Sequence, residues 1–233
     1  MKLLLTSSGL HNKSLQSALA GMLDKPVSEC NFLFIPTSYH GAVSDMTWLV
    51  EDFYNAHSMG WKQFMVLDIA VKSSWDKELW WPMIEQADVI QMGGGNAQYL
   101  SYWLQKSGLF DALPEPLKTK VYVGVSAGSM VLTAGLTSAN IGQSENYEID
   151  LNDPRLPAGQ ASDKTLGLTD FLFRPHWHKP GPKYENLTEE TVRKAYEVLK
   201  KPIYLVDDET GIKIVDGQLE VISEGQWVLV DSE

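Results

Sequence analysis

The sequence is poor in several things, and each shortage excludes something. It has a single cysteine, Cys30. No intrachain disulfide can form, so a reducing compartment is expected. Cys30 precedes the apolar run Asn31-Phe32-Leu33-Phe34-Ile35 and reads as a packed thiol. Arginine is scarce, with Arg155, Arg174 and Arg193 the full set, and the formal net charge is −11. That field repels a phosphate backbone, so nucleic acid is not an expected partner. No apolar stretch approaches the roughly 20 residues of a membrane span. The opening Met1-Lys2-Leu3-Leu4-Leu5 is cut off by Thr6-Ser7-Ser8-Gly9, short of the roughly 7–15 apolar residues of a signal core. A cytoplasmic protein with no membrane partner is expected. There is no Gly-Lys-Ser/Thr phosphate loop, internal repeat or clear linker.

What is there is ordinary for a globular chain: 233 residues, 44% hydrophobic and 21% charged. A chain of this length buries roughly 70% or more of its unfolded surface. One domain over residues 1–233 is expected.

Short apolar runs alternate with longer amphipathic ones. Strands are expected at Lys2 to Leu5, Phe32 to Ile35, Phe64 to Ile69, Val89 to Met92 and Val121 to Val125. Helices are expected at Leu15 to Leu23, Thr47 to His57, Trp75 to Gln86 (with Pro82 as an irregularity), through Tyr99 to Leu104, and at Ala127 to Leu136. Alternation of this kind predicts an α/β fold with a mostly parallel sheet and helices on both faces. Residues 137–166 are polar and read as a long excursion with little regular structure. A strand follows at Phe171 to Pro175, then a helix from Thr188 to Leu199 with Asn186 as a candidate cap. Ile203 to Val206 is another strand. Ile212 to Val215, Leu219 to Ile222 and Trp227 to Val230 read as a small antiparallel part turning at Asp216-Gly217.

The chemistry concentrates at strand ends. Gly124-Val125-Ser126-Ala127-Gly128 joins an apolar strand to a helix, the elbow pattern that exposes a nucleophilic serine. Its glycines let the backbone pass closely. The N–H of Ala127, at the helix start, suits a developing oxyanion. A second donor is expected from Gly93-Gly94-Gly95-Asn96, another strand end. A dinucleotide site there would need a glycine at position 98, which is Gln98.

A serine needs a base. Of His11, His40, His57, His176 and His178, only the last two follow the elbow, at the end of a predicted strand. His-x-His can also face one way and bind metal, but no cysteine or further histidine stands nearby to complete a set, and no metal or cofactor is expected. The orienting acid is sought in Asp207-Asp208-Glu209, after another strand. The order is then Ser, His, Asp. The alternative order Ser, acid, His would draw its acid from residues 137–170. Whether Asp207 or Asp208 serves, and whether His178 shares the base role, stay open.

Together, Met92-Gly93-Gly94-Gly95-Asn96, Gly124-Val125-Ser126-Ala127-Gly128-Ser129, Arg174-Pro175-His176 and Asp207-Asp208-Glu209-Thr210-Gly211-Ile212 resemble the peptidase E family, which holds dipeptidase E and cyanophycinase. The resemblance runs from the first strand to about Ile214. It implies a three-layer, flavodoxin-like sandwich related to class I glutamine amidotransferases. It also implies hydrolysis of small peptides through an acyl-enzyme, without metal. By position it makes Ser126 the nucleophile, His176 the base and Asp208 the acid. Gly95 and Ala127 match the oxyanion donors. Gly94, Asn96, Arg174 and Trp177 are candidate substrate contacts. The family's substrate-reading arginine has no clean counterpart in Asn186 to Arg193, so a preference for aspartyl substrates is open, with Arg174 or Arg193 as substitutes. An esterase or acyltransferase with the same triad, or a non-catalytic binding protein on this scaffold, are the competing expectations. The chain is expected as a monomer or homodimer.

Overall fold

The computed structural model describes residues 1–42, 45–72, 76–144 and 147–232. Five strands form the parallel part of the main sheet: β1 (Lys2–Thr6), β2 (Asn31–Ile35), β3 (Gln63–Val66), β4 (Val89–Met92) and β5 (Val121–Val125). All residues of β4 and β5 are buried, Gln91 included, as strands covered on both faces should be. Two hairpin strands, β8 (Thr210–Val215) and β9 (Gln218–Ser223), extend the sheet antiparallel to β1. The order is β3-β2-β4-β5-β1-β8-β9. Asp216 and Gly217 turn the hairpin, both at positive φ (49° and 84°), as a two-residue primed turn demands.

A second sheet holds β6 (Leu172–Trp177), β7 (Ile203–Asp207) and β10 (Trp227–Val230), in the order β10-β7-β6. The tail strands therefore divide between two sheets. The strand carrying His176 lies outside the main sheet altogether.

Helices cover both faces of the main sheet. On one side Leu15, Leu19 and Met22 of α1 (Lys13–Met22) and Phe53 of α2 (Thr47–His57) pack against Leu4, Phe32, Phe34 and Val123. Asn12 caps α1 by accepting the Leu15 N–H at 2.9 Å. On the other side α3 (Ile69–Lys72), α4 (Lys77–Gln86), α5 (Ala97–Lys106), α6 (Leu109–Ala112) and α7 (Ala127–Met130) enclose a core that includes Leu5, Ile90, Met92 and Tyr122. The second sheet packs Leu172, Ile203 and Leu205 against Val192 and Ala195 of α8 (Glu189–Leu199). No helix among the described residues is long and apolar enough to cross a membrane.

Several expected boundaries move for local reasons. β3 stops at Val66 because Asp68 starts the short α3, its carboxylate accepting the Ala70 N–H at 3.0 Å. Asp76 caps α4, which runs through Pro82; the expected start at Trp75 lies outside the described residues. The helix after Ser126 ends at Met130, not Leu136. The carbonyls of Val131 and Leu132 accept from Leu166 and Leu168 instead. The cap of α8 is Thr188, not Asn186: Thr188 and Thr191 exchange side-chain and backbone bonds in a capping box. Among its described residues the excursion of 137–166 carries only a 3-10 turn, Thr137–Asn140. It is tied to α5 by Ser162 N–H to Gln98 O (3.1 Å), Ser101 Oγ to Lys164 O (2.6 Å) and Gln105 Nε2 to Ser162 Oγ (2.7 Å).

Candidate active site

The turn from β5 into α7 is built by what its glycines omit. A Cβ on Gly124 would sit 2.6 Å from the Ser129 Cα, and one on Gly128 would overlap the Met92 carbonyl. The chain can therefore double back only with glycine at both places. Ser126 is held between them at φ 48°, ψ −102°, a backbone region that non-glycine residues enter at a cost. Its N–H donates to the Thr6 carbonyl at 2.9 Å, which anchors the elbow to β1.

The glycine loop after β4 lies directly alongside. A Cβ on Gly94 would be 3.7 Å from the Ser126 Cβ and 3.6 Å from the Trp48 ring. Gly95 stands at φ 137°, and a Cβ there would strike the Ser38 carbonyl. Ser38 braces the loop, its one hydroxyl proton shared between the carbonyls of Gly93 (2.8 Å) and Gly94 (2.6 Å). The Asn96 side chain caps α5, its Oδ1 accepting the Tyr99 N–H at 3.0 Å.

His176 reaches Ser126 from the second sheet. Its Nε2 lies 2.8 Å from Ser126 Oγ, and its Nδ1 lies 2.6 Å from Asp208 Oδ1. β6 shifts register between Arg174 and Trp177, and both His176 (φ 68°) and His178 (φ 61°) are left-handed. The regular alternation behind a shared face for the two histidines therefore does not hold here. His178 is exposed, with its ring stacked on Trp177 at 4.2 Å.

The three consecutive acids divide their work. Asp207 closes the turn after β7, accepting from Thr210 Oγ1 (2.6 Å), Glu209 N–H (3.1 Å) and Gln226 N–H (2.5 Å). Asp208 takes the histidine. Glu209 pairs with His11 at 3.0 Å and accepts from Asn12. Burial opposes charge on Asp208. Hydrogen bonds from His176 and Ser7 and the nearby Lys179 ammonium (3.4 Å) outweigh it and hold the carboxyl well below the usual range. Burial pushes His176 down in turn, ahead of the upward pull of Asp208. At neutral pH the pair is a carboxylate beside a neutral imidazole.

Arg174 is 2% exposed, with its guanidinium spent on carbonyls: two bonds to Ile141 O (3.2 and 2.9 Å) and one to Pro175 O (3.3 Å). Burial lowers it to about 10. It fastens the excursion to β6. Trp177 is buried in the core of the second sheet and borders an open cavity of about 830 Å³. The Tyr184 ring lies 5.4 Å from that of His176.

A profile of Peptidase family S51 matches residues 3–222. The chain belongs to peptidase family S51. The Peptidase E of Streptomyces coelicolor is 25% identical over 151 residues, covering 64% of this chain and 51% of that one. The Peptidase E of a Nostoc species is 26% identical over 144 residues, covering 60% of this chain and 54% of that one. The chain thus matches about half the length of these relatives. Two crystal structures share its fold. One is a candidate peptidase E from Listeria monocytogenes EGD-e, with TM-score 0.71 and 19% identity over 96% of this chain and 98% of that one. The other is a peptidase from an acI-B1 Actinobacterium, with TM-score 0.60 and 16% identity over 99% and 94% of the two chains. The mostly parallel sheet with flanking helices is the architecture expected from the sequence.

Three residues at this S51 site were not expected from sequence: Ser7, Lys179 and Trp48. Ser7 reads as a turn residue, although it follows a strand on the same rim as the others. Lys179 and Trp48 carry no local pattern.

Proposed function

We propose that the chain works as one peptidase E-like unit, a serine peptidase that cleaves small peptides through an acyl-enzyme. The reading rests on the hydrogen-bonded line from Asp208 through His176 to Ser126, on a chain of family S51. His176 Nε2 takes the Ser126 proton as Oγ attacks the peptide carbonyl. The N–H groups of Gly95 and Ala127 receive the oxyanion. His176 then passes the proton to the leaving amine, and water activated by the same imidazole releases the acyl group. Asp208 keeps the Nδ1 proton in place and stabilises the imidazolium that forms. Gly94 lies beside the nucleophile, Asn96 follows at the start of α5, and Arg174 and Trp177 flank the base along β6.

The substrate is a small peptide of dipeptide length, and an Asp-Xaa preference is one arm of the test. A library of N-terminal dipeptides, including Asp-Xaa, is assayed beside a panel of short esters with wild type and Ser126→Ala. Peptide cleavage lost in the variant is the expected result. Ester turnover without peptide cleavage overturns the reading in favour of an esterase. Cleavage of neither overturns the reading for substrates of dipeptide length.

A further inference from the structure

The reacting groups are carried on two different sheets. Ser126 follows β5 of the seven-stranded sheet and His176 lies on β6 of the three-stranded one, while Asp208 stands in the short link by which β7 of the smaller sheet passes into β8 of the larger. A proton can pass between Ser126 and His176 only if the two sheets are held in register to a few tenths of an ångström.

Two consecutive residues at the end of β1 join them. Thr6 holds the nucleophile's side: its carbonyl accepts from Ser126 N–H (2.9 Å) and Ser129 Oγ (2.8 Å), and its hydroxyl donates to Gly124 O (2.7 Å). Ser7 holds the other side. Its hydroxyl donates to Asp208 Oδ1 (2.7 Å) and accepts from the His176 N–H (3.0 Å). Its own N–H stays with the main sheet, donating to Thr210 O of β8 at 3.2 Å. The residue is fully buried.

We propose that Ser7 is a positioning residue for the hydrolytic reaction, aligning His176 on the second sheet and Asp208 in the link between the sheets with Ser126 on the first. The proposal rests on the triad reading above. A hydroxyl has one proton to give. Spent on Asp208, it is not offered to His176 Nδ1, which lies 3.4 Å away. The Nδ1 must then carry its own proton to satisfy Asp208, and the lone pair is left on Nε2, facing Ser126. The acceptor side of the same hydroxyl ties down the His176 backbone at its left-handed φ of 68°, a conformation that needs support.

The charged and titratable groups facing His176 are Asp208 and, from the strap after β6, Lys179 and Tyr184, with Arg174 from β6 itself. Of these only Asp208 favours the imidazolium, and Ser7 shares its charge. Removing that donor concentrates the carboxylate on the imidazole. In Ser7→Ala the His176 titration midpoint therefore rises by about half a pH unit or more. kcat for peptide cleavage falls roughly 10- to 100-fold, with KM little changed.

The test is the pH titration of the imidazole nitrogens by NMR in full-length protein labelled with 15N-histidine, assigned with His176→Ala. Wild type is expected to show an Nδ1-protonated His176 with a low midpoint, and Ser7→Ala the raised one. Ser7→Cys keeps the shape but donates weakly, so it carries the same comparison if the alanine variant folds poorly. An unchanged midpoint and tautomer in both variants overturns the proposal. The titration is independent of turnover: peptide cleavage that survives His176→Ala refutes the triad alone, and an unchanged titration beside an intact triad refutes Ser7 alone.

Discussion

Asp52 is a buried carboxyl that the proposed chemistry does not use, and it makes stability depend on pH in a calculable way. It sits on α2, 4% exposed. Gln91 Nε2 donates to its Oδ1 at 2.8 Å, while its Oδ2 and Gln91 Oε1 are buried without a partner among the described residues. Burial raises its pKa from 3.8 to about 7, against the smaller effect of Gln91. The folded chain therefore holds this proton more tightly than the unfolded one. The contribution to stability is most favourable below the unfolded value, is lost as pH rises from there to about 7, and is flat above. A shift of this size corresponds to about 4 kcal/mol. Asp52→Asn removes the charge, and the new amide can donate to the orphaned Gln91 Oε1. The gap in unfolding free energy between variant and wild type should widen by about 3 kcal/mol from pH 5 to pH 8. In melting temperature that is roughly 2–4 °C per kcal/mol for a chain of this size. Urea unfolding of both proteins at the two pH values measures it, and effects of the amide on packing or helix propensity cancel in the comparison. A gap that stays constant or narrows with pH would falsify the assignment of Asp52 as a carboxyl kept neutral by burial.

Other perturbations separate the roles of neighbouring residues. Ser126→Ala should lower peptide cleavage at least about a thousand-fold with an unchanged far-UV spectrum; retained turnover would remove the serine from the mechanism. The acid limb of kcat/KM should fall below the ordinary histidine value, because burial lowers His176 and activity is lost as the imidazole gains a proton. A limb at or above that value would contradict the electrostatics. Asp208→Asn should abolish most turnover, because the imidazolium loses its carboxylate, whereas Asp207→Ala should cost about 1–3 kcal/mol by freeing the turn it closes. Steady-state rates and calorimetry on the same samples decide whether the two effects divide this way. Gly128→Ala should destabilise by about 1–3 kcal/mol, since the added methyl meets the Met92 carbonyl. Wild-type stability in that variant would mean the elbow is looser than described.

The elbow was legible in the sequence because its constraints are contiguous. Gly124, Ser126 and Gly128 lie within five residues, and the all-apolar β5 before them announces a buried parallel strand. The bounds of β4, β5, α2 and β10 were legible for the same reason, as local pattern alone distinguishes them. Other features depend on partners distant in the chain. α7 ends early because carbonyls near its end accept from Leu166 and Leu168, more than thirty residues on. Thr188 displaced Asn186 as a cap because Thr191 completes the box with it. Asp207 and Asp208 are chemically identical and adjacent, and only the arrangement of the two sheets sends one to Thr210 and the other to His176. Sequence alone therefore determined the tight turn at Ser126 and the parallel frame, since strand pattern and tight turns are properties of neighbouring residues. Tertiary structure decided that His176 stands on a separate sheet from Ser126, with Asp208 in the link between the two, and that Ser7, 169 positions from His176, bonds to both His176 and Asp208, because a hydrogen bond across sheets leaves no periodic trace along the chain.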